Sequence, residues 1–206
     1  FAALRFYAVH DKEMISATTY YEETFDSLYN LFMATGTVLK DTFEAEDILR
    51  SLNEAIVREI HADGGMIFLV DEFDEQLAAK AYTGNYPPPF ALPEGLPRKE
   101  NRVVSYMKHV QFNFSENILG DIAKSRRNIY IPDARTDSRI VQNGEEDFLR
   151  INSFIAVPLL VEDKVMGVFT AVRTGELEAF TENDFDRSKT LANFGTIALS
   201  NFLRFL

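Results

Sequence analysis

Few residues in this 206-residue sequence are of types that do covalent or redox chemistry. Cysteine is absent, which removes thiol nucleophiles, thiolate metal sites, disulfides and thioether attachment of a cofactor. Only His10, His61 and His109 could serve as imidazole bases or ligands. They stand before one predicted helix, at the end of another and between two extended segments. That spacing lacks the clustered histidines and carboxylates of a nonhaem iron site. No Ser-His-Asp set, Gly-rich phosphate loop or pair of catalytic carboxylates stands out. The expectation is a domain that binds rather than catalyses, with no cofactor and no metal.

Charge narrows the partners. Lys and Arg number 21 against 32 Asp and Glu, a net charge of −11. Such a chain is a poor general binder of nucleic acid or of an anionic membrane, and any anionic ligand must be held by local donors. No apolar stretch approaches the roughly 20 residues of a membrane span, and residues 1–10 lack the pattern of a signal peptide. With no cysteine to oxidise, a cytoplasmic location is expected. The core must be built from Phe, Leu, Ile and Val, since Phe occurs 18 times and Trp not at all.

The elements that would position a site follow from periodicity. Residues 12–40 read as one long helix. Met14, Thr18, Tyr21, Phe25, Leu28, Phe32, Thr35 and Leu39 recur in steps of four and three, a seam of the kind that paired helices share. Residues 44–62 form a second helix with the stripe Ile48, Leu52, Ile56 and Ile60, ended by Gly64-Gly65. Strands are predicted over 65–71 and 76–84, around a turn at 72–75. Five prolines make 85–102 a loop. Residues 102–107 and 110–114 read as short extended segments, and Ser115 as the cap of a short helix over 116–125. A strand covers 128–133, and a turn with a small helix covers 134–150. A hairpin fills 153–174, turning at Glu162-Asp163. Thr181 caps a final helix over 182–206. Helices at both ends of an antiparallel sheet make an α+β sandwich. The division is residues 1–40 as a linker and dimerisation helix and residues 41–206 as the main domain.

Four segments, in this order, resemble the GAF family. IFLVDEFDEQLAAKAYTG (67–84) is similar to its first hairpin, and NILGDIAKSRRNIYIPDA (117–134) to its short helix and following strand. SFIAVPLLVEDKVMGVFTAV (153–172) resembles its second hairpin, and AFTENDFDRSKTLANFGTIALSNFL (179–203) its closing helix. The resemblance implies a central antiparallel sheet between the helices of the chain ends and a ligand-side lid of short helices and loops. It implies a regulatory domain. Members bind cyclic nucleotides, bilins, haem, small acids or nothing. Some small members reduce methionine sulfoxide, but with cysteines that this chain lacks.

A cyclic nucleotide, cAMP or cGMP with cAMP favoured, is the specific ligand the resemblance implies. Carried over, the pocket would use Met66, Tyr82 and Thr83 of the first hairpin, and Asn117, Ile118 and Leu119 at the short helix start. Val141, Glu145 and Asp147 would come from the lid, and Thr170 from the second hairpin. Amide groups at a helix start favour an anion. Tyr82 can stack on a purine, and Thr83 or Thr170 can bond its edge. Arg173 and Asp184 would form the family's Lys–Asp bridge with Arg in place of Lys. There are departures. Arg173-Thr174 replaces an Asn-Lys pair, Asn117 replaces a Gly, and Glu116 beside it would repel a phosphate unless turned to solvent. The alternatives are a ligand-free dimerisation and relay module, its pocket filled by its own Phe and Tyr side chains, or a sensor of another small molecule. Apolar residues left over on the terminal helices imply a homodimer. The chain stops inside an apolar helix, so a covalently attached output domain is expected, by family analogy a diguanylate cyclase.

Overall fold

The computed structural model describes residues 45–71, 73–175 and 178–204. The predicted seam helix over 12–40, His10 and the end of the last helix at 205–206 lie outside the described residues. The elements are α1 (Ala45–Glu59), β1 (Gly64–Asp71), β2 (Gln76–Gly84), α2 (Glu100–Met107), β3 (Gln111–Asn113), α3 (Ile118–Ser125), β4 (Ile129–Ile131), β5 (Ile151–Val161), β6 (Lys164–Thr174) and α4 (Glu182–Arg204). The six strands form one antiparallel sheet in the order β3-β2-β1-β6-β5-β4.

Alternation along the strands divides the core in two. Ile67, Ile155, Val157, Phe169 and Ala171 face α1 and α4, where they meet Leu49, Leu52, Ile56 and Leu191. Met66, Phe68, Phe154, Ala156, Val168 and Val172 face the lid, built from α2, α3 and loops. The two terminal helices cross closely. A Cβ at Gly195 of α4 would lie 2.3 Å from Leu52 Cδ1 of α1. Gly167 of β6 allows a similar approach within the sheet, because a Cβ there would lie 2.2 Å from the Phe68 carbonyl oxygen.

Several local expectations are corrected. Helix α1 is not ended by Gly64-Gly65, which open β1. It ends in a left-handed His61 (φ 49°), whose N–H donates to Arg58 O while Ala62 N–H donates to Val57 O. That pairing satisfies the last carbonyls of the helix. Residues 102–107 are helix, not strand, because Val103 and Met107, four apart, share one buried face. Helix α3 is capped by Asn117 rather than Ser115, its Oδ1 accepting from Leu119 N–H at 2.9 Å. Residues 134–150 contain turns but no helix. The Thr181 cap is present. Thr181 Oγ1 accepts from Asp184 N–H at 3.2 Å, and Asp184 Oδ2 accepts from Thr181 N–H at 2.8 Å.

Candidate functional site

On the lid face, neighbouring strands bring three of the sequence-selected residues into one row. Met66 of β1 pairs with Tyr82 of β2 on one side and with Thr170 of β6 on the other. A ligand lying on the sheet would touch this row. Tyr86 lies on it instead. Its side chain is 1% exposed, and its phenol oxygen accepts a hydrogen bond from Thr170 Oγ1 at 2.7 Å. Its backbone N–H donates to Tyr82 Oη at 3.3 Å. Phe90 and Leu92 of the same segment are also buried, and Phe90 packs on Phe112 with ring centroids 5.3 Å apart. The proline-rich arm over residues 85–97 is thus folded into the lid-side core.

The arm is held at several points. Asn85 N–H donates to Asp63 O. Asn143, in the lid segment, donates through Nδ2 to Pro88 O at 3.0 Å and Phe90 O at 2.9 Å, and its Oδ1 accepts from Leu92 N–H at 2.8 Å. Val141 N–H donates to Pro89 O at 2.9 Å. Arg98 donates to the carbonyls of Leu92, Pro93 and Leu96. Gln142 fixes the lid segment to the sheet through reciprocal bonds with Ile151. Among the described residues no group of three or more His, Cys, Asp or Glu could hold a metal ion.

A GAF domain family profile matches residues 44–200, most of the chain. The chain belongs to the GAF family. Solved structures with the same fold include the GAF domain of an Acinetobacter phosphoenolpyruvate-protein phosphotransferase. It is 19% identical, with 87% of this chain and 94% of that one covered and a TM-score of 0.63. The free methionine-R-sulfoxide reductase of Neisseria meningitidis, solved with its substrate, is 15% identical, covers 85% and 89%, and has a TM-score of 0.60. The A. aeolicus NLH2 GAF domain in an inactive state is 15% identical, covers 90% and 99%, and has a TM-score of 0.58. No curated protein sequence matches this chain.

In this GAF domain the other carried-over residues are scattered. Thr83 follows Tyr82 and so faces the opposite side of the sheet. There its Oγ1 accepts from Nδ2 of buried Asn53 on α1 at 2.9 Å. Ile118 and Leu119 are buried, and the Leu119 N–H, one of the expected anion donors, is already taken by Asn117. Glu116 does turn away from the helix start, its Oε1 accepting from Asn113 N–H and Nδ2. Val141, Glu145 and Asp147 are exposed, and Asp147 pairs with Arg150 at 2.7 Å. Arg173 and Asp184 meet at 3.5 Å, each side chain only 14% exposed.

Burial drives the Tyr86 phenol far above its ordinary range, with the Thr170 hydrogen bond opposing in part. Burial also raises Tyr82, the Tyr86 backbone bond opposes it, and Glu100 adds to the rise. Both phenols are therefore neutral hydroxyls around neutral pH. The sequence singles out neither Tyr86 nor Asn143. The aromatic beside three prolines and the Asn-Gly at 143–144 are the only local signals for them.

No helix among the described residues is long and apolar enough to cross a membrane.

Proposed function

We propose that this is a non-catalytic regulatory GAF module whose ligand-side chamber is closed by its own Tyr86 arm. The observation that carries the reading is the 2.7 Å bond between Thr170 and Tyr86, both buried. Thr170 is the side chain expected to bond a purine edge, and here it bonds the chain itself. With no cysteine, the chain has no thiol for redox catalysis.

The second reading is a cyclic nucleotide, cAMP before cGMP, that enters once the arm has swung out. The Tyr82–Met66–Thr170 row on one face favours it. Thermal unfolding separates the two. A ligand present at 100 times its Kd stabilises the native state by about 2.7 kcal/mol. Millimolar cAMP or cGMP is expected to leave the melting temperature of the wild-type domain unchanged. A saturable rise with either nucleotide would establish the second reading and overturn the first.

The relay itself runs through the chain ends in this proposal. Two protomers pair along the seam from Met14 to Leu39 together with α4, whose Ile197 is 61% exposed. They pass a change in the GAF core to an attached output domain, by family analogy a diguanylate cyclase. Light scattering is expected to find a wild-type dimer. Phe25→Glu with Leu28→Glu should give a monomer whose far-UV circular dichroism keeps the signal of the sheet. A wild-type monomer at high concentration would refute the pairing.

A further inference from the structure

A cavity of about 230 Å³ lies at the edge of β2 and shares Met66 and Tyr82 with the row under the Tyr86 arm. Its wall includes the four consecutive residues Ala79 to Tyr82. Successive side chains of a strand point to opposite faces. A cavity that touches all four therefore runs along the edge of the strand rather than over one face.

The local cause is a bulge. Ile67 pairs with Ala81 and Phe68 with Ala79, which leaves Lys80 as the extra residue. Bulges bend a strand, re-aim a side chain and recur beside functional sites. Strand β3 pairs with residues 76–78 of β2 and the preceding Val110 carbonyl accepts from Ala79 N–H, so neither covers the edge beyond Ala79. The small Ala79 and Ala81 side chains leave the space open. Glu46 and Arg50 of α1 stand on one side, and Lys108, directly after α2, stands on the other.

The cavity gathers Arg50, Lys80 and Lys108, three cations, in a chain of net charge −11. Lys80 Nζ lies 3.3 Å from Glu46, and Arg50 pairs with Asp47. Lys108 has no carboxylate partner among the described residues. Its Nζ stands 5.7 Å from the centre of the Tyr82 ring. Ala79, Ala81, Met66 and that ring supply apolar wall. The volume falls below the usual 300–1,000 Å³ or so of drug-sized pockets, which suits a ligand smaller than a nucleotide.

We infer that this cavity is a second ligand site, for a small organic anion. Its acidic group would sit between Lys108 and Arg50, and its apolar body against Ala79, Ala81 and Tyr82. Occupancy would bear on the chamber through Tyr82, whose Oη accepts the Tyr86 N–H at the root of the arm. The inference does not depend on what, if anything, enters the chamber.

The test is a titration of the isotopically labelled 206-residue chain, followed by amide shifts, with benzoate as the probe. Benzyl alcohol serves as its neutral counterpart and inorganic phosphate as the anion without an apolar body. Arg50 and Lys108 are exposed, so the Arg50→Ala/Lys108→Ala variant should keep its fold. Benzoate is expected to shift residues 79–82 and 108 saturably, and to bind at least tenfold more weakly to the double variant. Benzyl alcohol and phosphate should each bind at least tenfold more weakly than benzoate. Shifts that map elsewhere, an unchanged affinity in the variant, or an equal response to either control would overturn the inference.

Discussion

Tyr86→Ala will destabilise the domain by about 3–5 kcal/mol, the range for deleting a buried aromatic side chain. The residue is 1% exposed and packs among the lid-side core. Tyr86→Phe isolates the hydroxyl. It leaves Thr170 Oγ1 with only the Met66 carbonyl, at 3.4 Å, so a loss of about 1–3 kcal/mol is expected. Phe73, by contrast, is 100% exposed at the first hairpin turn, and its truncation should change stability by under about 0.5 kcal/mol. Urea unfolding followed by circular dichroism checks the order Tyr86→Ala, Tyr86→Phe, wild type. Equal stability of Tyr86→Ala and wild type would show that the arm is not part of the packed core.

Arg173→Met is the second large effect. Its guanidinium donates to Glu178 O at 2.9 Å, Ala179 O at 3.3 Å and Ile60 O at 3.1 Å, lies 3.5 Å from Asp184 and stacks over Phe180 at 4.9 Å. One side chain thus joins the end of α1, strand β6 and the start of α4. Methionine fills much of the volume but leaves Asp184 with only its Thr181 bonds and removes the donor from three carbonyls. Breaking a buried pair by removing one partner costs about 3–5 kcal/mol. Arg150→Met is the control. Its partner Asp147 is 82% exposed, so the loss should stay within about 1 kcal/mol. A loss at Arg173 no greater than at Arg150 would refute its role as the joint.

The long, strongly patterned segments could be read from the sequence. The hairpin over 153–174 is apolar almost throughout, because one set of side chains meets α1 and α4 and the other meets the lid. The Thr181–Asp184 box is legible because caps depend on residues close in sequence, whereas the Arg173–Asp184 pair comes from the family resemblance. Residues 102–107 misled because Val103-Val104 is β-branched, although Val103 and Met107 already carried helical spacing. His61 stands at a helix end in the sequence, but its left-handed conformation is not legible there, because a non-glycine residue rarely takes one. The site was less legible. Adjacent strand residues cannot share a face, so the sheet separates Thr83 from Tyr82. Tyr86 lies in a loop between Asn85 and three prolines, and nothing local says that a loop side chain will be fully buried. Its burial is decided by Thr170, 84 residues away, and by Asn143 in the lid.

The central claim is that the side chain of Tyr86 fills a chamber in this GAF domain which would otherwise be open to a ligand. A cavity engineered into a core and lined by apolar side chains can bind a small aromatic molecule. The most direct measurement is thermal unfolding of Tyr86→Ala with phenol, which has the shape and hydroxyl of the deleted ring. The melting temperature of the variant should rise saturably with phenol, while wild type does not respond. A variant that responds no more than wild type would contradict the claim.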